Sequence, residues 1–133
     1  MSEKKNQLLK ISLVISAIIL LGYGVEYLFF PGVQIKMTGG EPIPAFWINW
    51  FGGALLAMGI GCILAYRKPE KQGIFVTTIL IAASVTALAL YQQIIFLWDD
   101  AYNMLNTVIP AIVLTIAAIL LYLGLRQSKA ILW

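Results

Sequence analysis

Residues 45–66 read AFWINWFGGALLAMGIGCILAY, an apolar run without a single charged side chain. Every fourth position of this run carries a small or short side chain, namely Ala45, Asn49, Gly53, Ala57, Gly61 and Ala65. Residues four apart lie along one face of a helix. In lipid, a face of small residues lets two helices approach to van der Waals contact. We therefore predict a transmembrane helix whose small-residue face is the packing centre of the protein.

Three further apolar runs accompany this one in a chain of 133 residues that is 61% hydrophobic and only 11% charged. This composition is typical of an integral membrane protein. About 20 apolar residues cross a bilayer, and the runs predict four transmembrane helices at about residues 9–30, 45–66, 73–98 and 104–125. Pro31 and Gly32 predict the end of the first helix, and the glycines and prolines of residues 31–44 predict a loop without a further helix. Residues 1–133 are predicted to form one domain.

The lysines and arginines fall almost entirely on one side of this arrangement. Eight of the nine precede the first helix, follow the fourth, or lie between the second and third, and the exception is Lys36. The positive-inside rule places such residues in the cytoplasm, so we predict cytoplasmic N and C termini in a cell membrane. Because the connections are short, neighbouring helices run antiparallel. The predicted fold is all-α, an up-down-up-down bundle of four transmembrane helices.

The composition also removes several classes of function. Histidine is absent and Cys62 is the only cysteine, so the commonest general base and the commonest metal ligand are missing. No phosphate-binding loop, metal-ligand spacing or nucleophile–base pair is visible. The basic residues lie at the ends of segments, without the interleaved aromatic residues of a nucleic-acid surface. We predict no metal, no cofactor and no nucleic-acid partner.

Polar and aromatic residues collect toward the predicted outer ends of the helices. The candidate ligand-binding set is Tyr23, Glu26, Tyr27, Asn49, Trp50, Gln92, Gln93 and Asn106. Glu26 is the one carboxyl group within the predicted helices, and a carboxyl group at membrane depth marks a candidate functional site. These residues predict a cavity around Glu26 that opens outward. In a plainer interpretation, Glu26 meets water or Lys36 near the interface, and the aromatic residues form the usual belt of a membrane protein.

Two motifs resemble those of a known family. Phe30, Pro31 and Gly32 follow the first helix, and residues 51–59 read FGGALLAMG, an aromatic residue, two glycines, five residues and a third glycine. On these motifs the chain resembles the small DoxX-like membrane proteins, which implies a four-helix architecture. It is more distantly similar to sterol-isomerase-like bundles, which carry acidic residues around an apolar ligand. Of those acids only Glu26 is matched, and Asn49 stands where a second is expected.

The leading functional hypothesis is a non-enzymatic bundle that binds a lipid, quinone or other apolar small molecule between its helices. A second is an accessory subunit of a larger membrane complex, or a homo-oligomer, in which part of the small-residue face packs on another polypeptide. A third is an isomerase-like enzyme that uses Glu26 as its acid–base group. A transporter or channel is least favoured, because the predicted cytoplasmic half has few polar residues to line a path.

Overall fold

The computed structural model describes residues 4, 6–37, 45–96 and 107–133. This part of the chain contains helices and turns and no strand. The helices are α1 (Gln7–Phe29), α2 (Pro31–Met37), α3 (Ala45–Arg67), α4 (Gly73–Phe96), α5 (Ile109–Gln127) and α6 (Lys129–Leu132). Helices α1, α3, α4 and α5 are long and apolar enough to cross a membrane. The predicted all-α bundle of four membrane helices is confirmed.

One expectation about the first loop was wrong. Residues 31–44 were predicted to contain no helix, yet Pro31 begins the seven-residue helix α2. Proline ends α1 because it has no N–H to donate to the carbonyl four residues earlier. At the first position of a helix no such hydrogen bond is made by any residue, and the proline ring already fixes a helical φ. The same residue therefore stops one helix and starts the next. The remainder of this loop, residues 38–44, lies outside the described residues.

Helix α1 packs against both α3 and α5, and it is the central helix of the bundle. Gly52 of α3 lies against Leu28 of α1, and Gly59 lies against Leu21, so the two helices run antiparallel. A Cβ atom added at Gly52 would lie 2.6 Å from the Leu28 backbone nitrogen, which shows how closely the two backbones approach. The expectation that the second transmembrane helix is the packing centre was therefore wrong.

Helices α4 and α5 form the second antiparallel pair. The hydroxyl groups of Tyr91 and Thr115 lie 2.8 Å apart and share a hydrogen bond. Gly124 near the end of α5 lies against the Leu9 backbone near the start of α1, so α5 is antiparallel to α1 as well. Helices α3 and α4 make few contacts with each other. The bundle thus consists of two helix pairs that are joined through α1 and α5.

The predicted small-residue face of α3 is not the face that packs on α1. Ala57 is exposed, and a Cβ atom at Gly53 would meet nothing within 4 Å, whereas Gly52 and Gly59 lie tightly against α1. A helix turns by about 100° per residue, so a series of every fourth residue drifts by about 40° per step. From residue 45 to residue 65 that series winds about halfway around the helix. A contact seam with one neighbour repeats every 3.5 residues instead, which matches Gly52 and Gly59.

The two ends of the bundle differ in charge and in packing. One end, which we call the basic end, contains the start of α1, the end of α3, the start of α4 and the end of α5. Its basic residues in the described ranges are Lys4, Lys10, Arg67, Lys68, Lys71, Arg126 and Lys129. The opposite end, which we call the Glu26 end, contains the junction of α1 and α2. That the basic end faces the cytoplasm stays a prediction.

The hydrophobic core lies in the half of the bundle nearer the basic end. Its fully buried side chains include Leu9, Leu13, Val76, Leu121 and Leu132. The short helix α6 closes this end, because the Lys71 N–H donates a hydrogen bond to the Ile131 carbonyl at 3.0 Å and the Trp133 ring packs on Gly73. This half of the bundle is therefore closely packed.

Candidate functional site

A cavity of about 500 Å³ lies among the four long helices, in the half toward the Glu26 end. The described residues that line it are Ser16, Ile18, Ile19, Leu20, Gly22, Tyr23, Glu26, Tyr27, Gln34, Phe51, Leu55, Met58, Ile79, Ala82, Ala83, Thr86, Leu90, Pro110, Leu114 and Ala117. Fourteen of these twenty residues are apolar or glycine, and six carry a polar side chain. A concave, mostly apolar surface with a few polar groups is the usual form of a small-molecule site.

The cavity lies beside α3 and α4, which make few contacts with each other. Near the basic end the Phe75 ring of α4 lies against Gly61 of α3. Farther along, Met58 of α3 lines one side of the cavity while Ala82 and Ala83 of α4 line the other. Alanine side chains are too short to reach across, so the space between the two helices stays open.

Three of the sequence-predicted residues come together at the Glu26 end. Tyr23, Glu26 and Tyr27 have the spacing i, i+3, i+4, which places them on one face of α1, and all three line the cavity. The two tyrosine rings lie 5.8 Å apart between centroids. Gln34 of α2 lines the same region. Helix α2, which was not predicted from the turn residues, therefore contributes a polar residue to the site.

These four polar side chains have no protein partner within the described part of the chain. No side-chain hydrogen bond or ion pair joins Tyr23, Glu26, Tyr27 or Gln34 to any described residue, Lys36 included. All four are half-buried. None of their polar atoms is among the buried unpartnered atoms, so their hydrogen-bonding capacity is accessible from the cavity.

A further polar group lies at the deep end of the cavity. Ser16 is only 4% exposed, and its Oγ has no hydrogen-bond partner among the described residues. By contrast, the Ser12 hydroxyl donates to the Leu9 carbonyl at 2.7 Å, and the Thr86 hydroxyl in the cavity wall donates to the Ala82 carbonyl at 2.8 Å. Ser16 is thus the one lining hydroxyl in the deep half that its own helix does not satisfy.

Asn49 occupies a structural position between helices. Its Nδ2 donates to the Leu28 carbonyl at 3.3 Å, across the contact between α1 and α3. Its Oδ1 is buried without a partner in the described ranges. Asn49 is not among the residues that line the cavity.

The other predicted site residues lie elsewhere. Trp50 is 67% exposed and its ring meets the Trp47 ring edge-on at 5.2 Å. Gln92 is exposed and Gln93 is half-buried, and neither lines the cavity. Asn106 lies outside the described residues. The structure therefore brings three of the eight predicted residues to the cavity.

The apolar lining was not predicted because its signal in the sequence is weak. Phe51, Leu55 and Met58 have the same chemical character as the residues of α3 that face lipid. A hydroxyl in an apolar helix usually bonds to its own backbone, so the sequence predicts such a bond for Ser16. That the Ser16 hydroxyl lacks this bond is seen only in the structure.

The side chains in the cavity can bind and orient a head group. Glu26 supplies a carboxyl group, the two tyrosines supply hydroxyl donors and ring faces, and Gln34 supplies an amide. Within the described ranges no three His, Cys, Asp or Glu side chains come together as metal ligands do. No protein-family model matches this sequence, and no curated protein or solved structure matches it significantly. The resemblance to DoxX-like proteins stays a prediction.

Proposed function

We propose that this membrane protein binds one amphipathic small molecule, such as a lipid or a quinone, in the cavity around Glu26 and does so without catalysis. The observation that carries the proposal is the convergence of unpartnered polar side chains at one end of an otherwise apolar cavity. The volume of 500 Å³ falls within the range of about 300–1,000 Å³ that ligand pockets occupy.

The shape of the lining favours a molecule with two chemically different parts. Tyr23, Glu26, Tyr27 and Gln34 surround the position of a polar head, and side chains such as Met58 and Ile79 extend from there toward the basic end. An apolar tail would lie along these side chains, where almost no polar group competes for hydrogen bonds.

The isomerase-like alternative loses a candidate partner for Glu26. A single carboxyl group can move a proton between two positions of a substrate, but the sterol-isomerase-like pattern places a second acid beside it. Asn49, the residue expected at that position, binds the Leu28 carbonyl and does not line the cavity. This arrangement supports binding over acid–base catalysis.

Filling the cavity tests the proposal. Ala83 is half-buried and lines the cavity, whereas Ala89 on the same helix is exposed and does not line it. We expect native mass spectrometry of protein extracted gently from its membrane to detect a bound small molecule in wild type and in Ala89→Phe. Occupancy should fall severalfold in Ala83→Phe. Equal occupancy in both variants would place the molecule elsewhere.

A role as an accessory subunit is the second candidate, and one observation favours it. Ala57 is exposed and a Cβ atom at Gly53 would meet nothing within 4 Å, and small residues on an outer surface permit a helix of another polypeptide to approach closely. Recovery of the protein only with other polypeptides, and their loss in Ala57→Phe, would support this function. A monomer that carries a small molecule would argue against it.

A further inference from the structure

We infer that the ligand of this cavity is an amphiphile with one net positive charge, which an ammonium head group carries. This inference rests on the proposed function and specifies the class of molecule that the site takes. Its basis is the combination of one unpaired carboxyl group with three aromatic rings at the same end of the cavity.

The rings of Tyr23, Tyr27 and Phe51 form a continuous aromatic wall. The Tyr23 and Tyr27 centroids lie 5.8 Å apart with an angle of 60° between the rings. The Tyr27 and Phe51 centroids lie 5.8 Å apart with an angle of 31°. Phe51 comes from α3 and the tyrosines from α1, so the wall crosses the contact between two helices. A cation binds over the face of such rings, within about 6 Å of a centroid.

Glu26 places a carboxyl group beside this wall. It lies between the two tyrosines in sequence and lines the cavity with them. No lysine or arginine in the described ranges forms an ion pair with it, and all of them except Lys36 lie at the basic end. Charged groups at membrane depth are normally paired. An ammonium group on the ligand would supply the missing charge.

The remaining lining restricts the rest of the molecule. Beyond Glu26 the cavity is lined by apolar side chains such as Leu55, Met58 and Ala117, which suit an alkyl or aromatic tail. None of the described lining residues is basic, so the site offers no positive charge to balance a phosphate. The favoured ligand is therefore an amphiphile with one net positive charge rather than a zwitterionic phospholipid that contains the same ammonium group.

Three probes with the same twelve-carbon tail separate these sources: dodecyltrimethylammonium, dodecylphosphocholine and 1-dodecanol. Each is added at equal concentration to the full chain in an uncharged detergent, and occupancy is measured by native mass spectrometry. Dodecyltrimethylammonium gains both a counter-ion and ring contacts, so its occupancy should exceed that of 1-dodecanol by about tenfold or more.

Four variants identify the groups responsible. Glu26→Gln should reduce occupancy by dodecyltrimethylammonium about tenfold while leaving dodecanol unchanged, which also shows that the variant is folded. Phe51→Leu removes a ring face and should reduce occupancy by dodecyltrimethylammonium about threefold. Ala89→Phe lies on the same helix as Ala83 but outside the cavity and should leave occupancy by dodecyltrimethylammonium unchanged. Ala83→Phe fills the cavity and should exclude all three probes.

The results distinguish failure of this inference from failure of the proposed function. Equal occupancy by all three probes, unchanged in Glu26→Gln, would overturn the ammonium inference and leave the proposed binding site intact. Preferential binding of dodecylphosphocholine would overturn it too, since the phosphate would then have a partner. If no probe binds wild type better than Ala83→Phe, both the inference and the proposed site are wrong.

Discussion

Adjacent glycines in α3 provide a sharp test of how the helices pack. A Cβ atom at Gly52 would lie 2.6 Å from the Leu28 nitrogen and 2.9 Å from the Tyr27 carbonyl carbon, where ordinary contacts are 3.4–4 Å. The obstacle is backbone, which no side-chain rotation removes. A Cβ atom at Gly53, one residue away, would meet nothing within 4 Å.

The two alanine substitutions should therefore change stability in opposite directions. In Gly52→Ala, α1 and α3 must separate, and overpacking of this kind costs about 1–3 kcal/mol. Alanine in place of glycine within a helix gains about 0.5–1 kcal/mol. We expect Gly52→Ala to lower the free energy of unfolding by about 1–2 kcal/mol and Gly53→Ala to raise it by up to about 1 kcal/mol.

Reversible unfolding in mixed micelles of dodecyl maltoside and sodium dodecyl sulfate, followed by circular dichroism, measures this difference. Both variants add one methyl group to the same helix, so each serves as the control for the other. Equal stabilities, or a greater loss in Gly53→Ala, would refute the assignment of the contact face. Gly52 also lies opposite Tyr27, so Gly52→Ala should reduce ligand occupancy as well.

Three further substitutions test other features of the structure. Lys71 has a φ of 61°, so Lys71→Gly should raise the free energy of unfolding by about 0.5–1 kcal/mol; a loss in the same unfolding assay would contradict the strained backbone. Tyr91→Phe removes the hydrogen bond to Thr115 and should lower the free energy of unfolding by about 0.6 kcal/mol; an unchanged value would show that this bond does not stabilise the pairing of α4 with α5. Ser16→Ala removes a buried unpartnered hydroxyl and should leave thermal stability unchanged or improved by up to about 1 kcal/mol, and a marked fall in the melting temperature would show that the hydroxyl has a partner.

The transmembrane helices could be predicted because length and apolar character alone decide whether a segment crosses a bilayer. Every described span begins or ends within a few residues of its predicted bounds, as Gly73 at the start of α4 does. Helix α2 could not be predicted from its turn residues, since Pro31 is compatible both with the end of a helix and with the start of one.

The packing face of α3 and most of the cavity lining could not be predicted from the sequence. Helix α3 contains glycine at positions 52, 53, 59 and 61, and composition does not show which of these meets a neighbour. The polar cluster on α1 was predictable because Tyr23, Glu26 and Tyr27 share one face at helical spacing. Gln34 could not be predicted as a lining residue because its position depends on α2. The apolar lining could not be predicted because it depends on the spacing between α3 and α4.

The sparse contact between α3 and α4 has a consequence for heat stability. Each of these helices is secured mainly to its own partner, α1 or α5, and a molecule in the cavity touches both at once. It contributes the interface that the two helices do not make with each other. By mass action, a ligand at 100 times its Kd adds about 2.7 kcal/mol to the native state. On the proposed function, the melting temperature would therefore report occupancy of the cavity, and membrane extracts that raise it would contain candidate ligands.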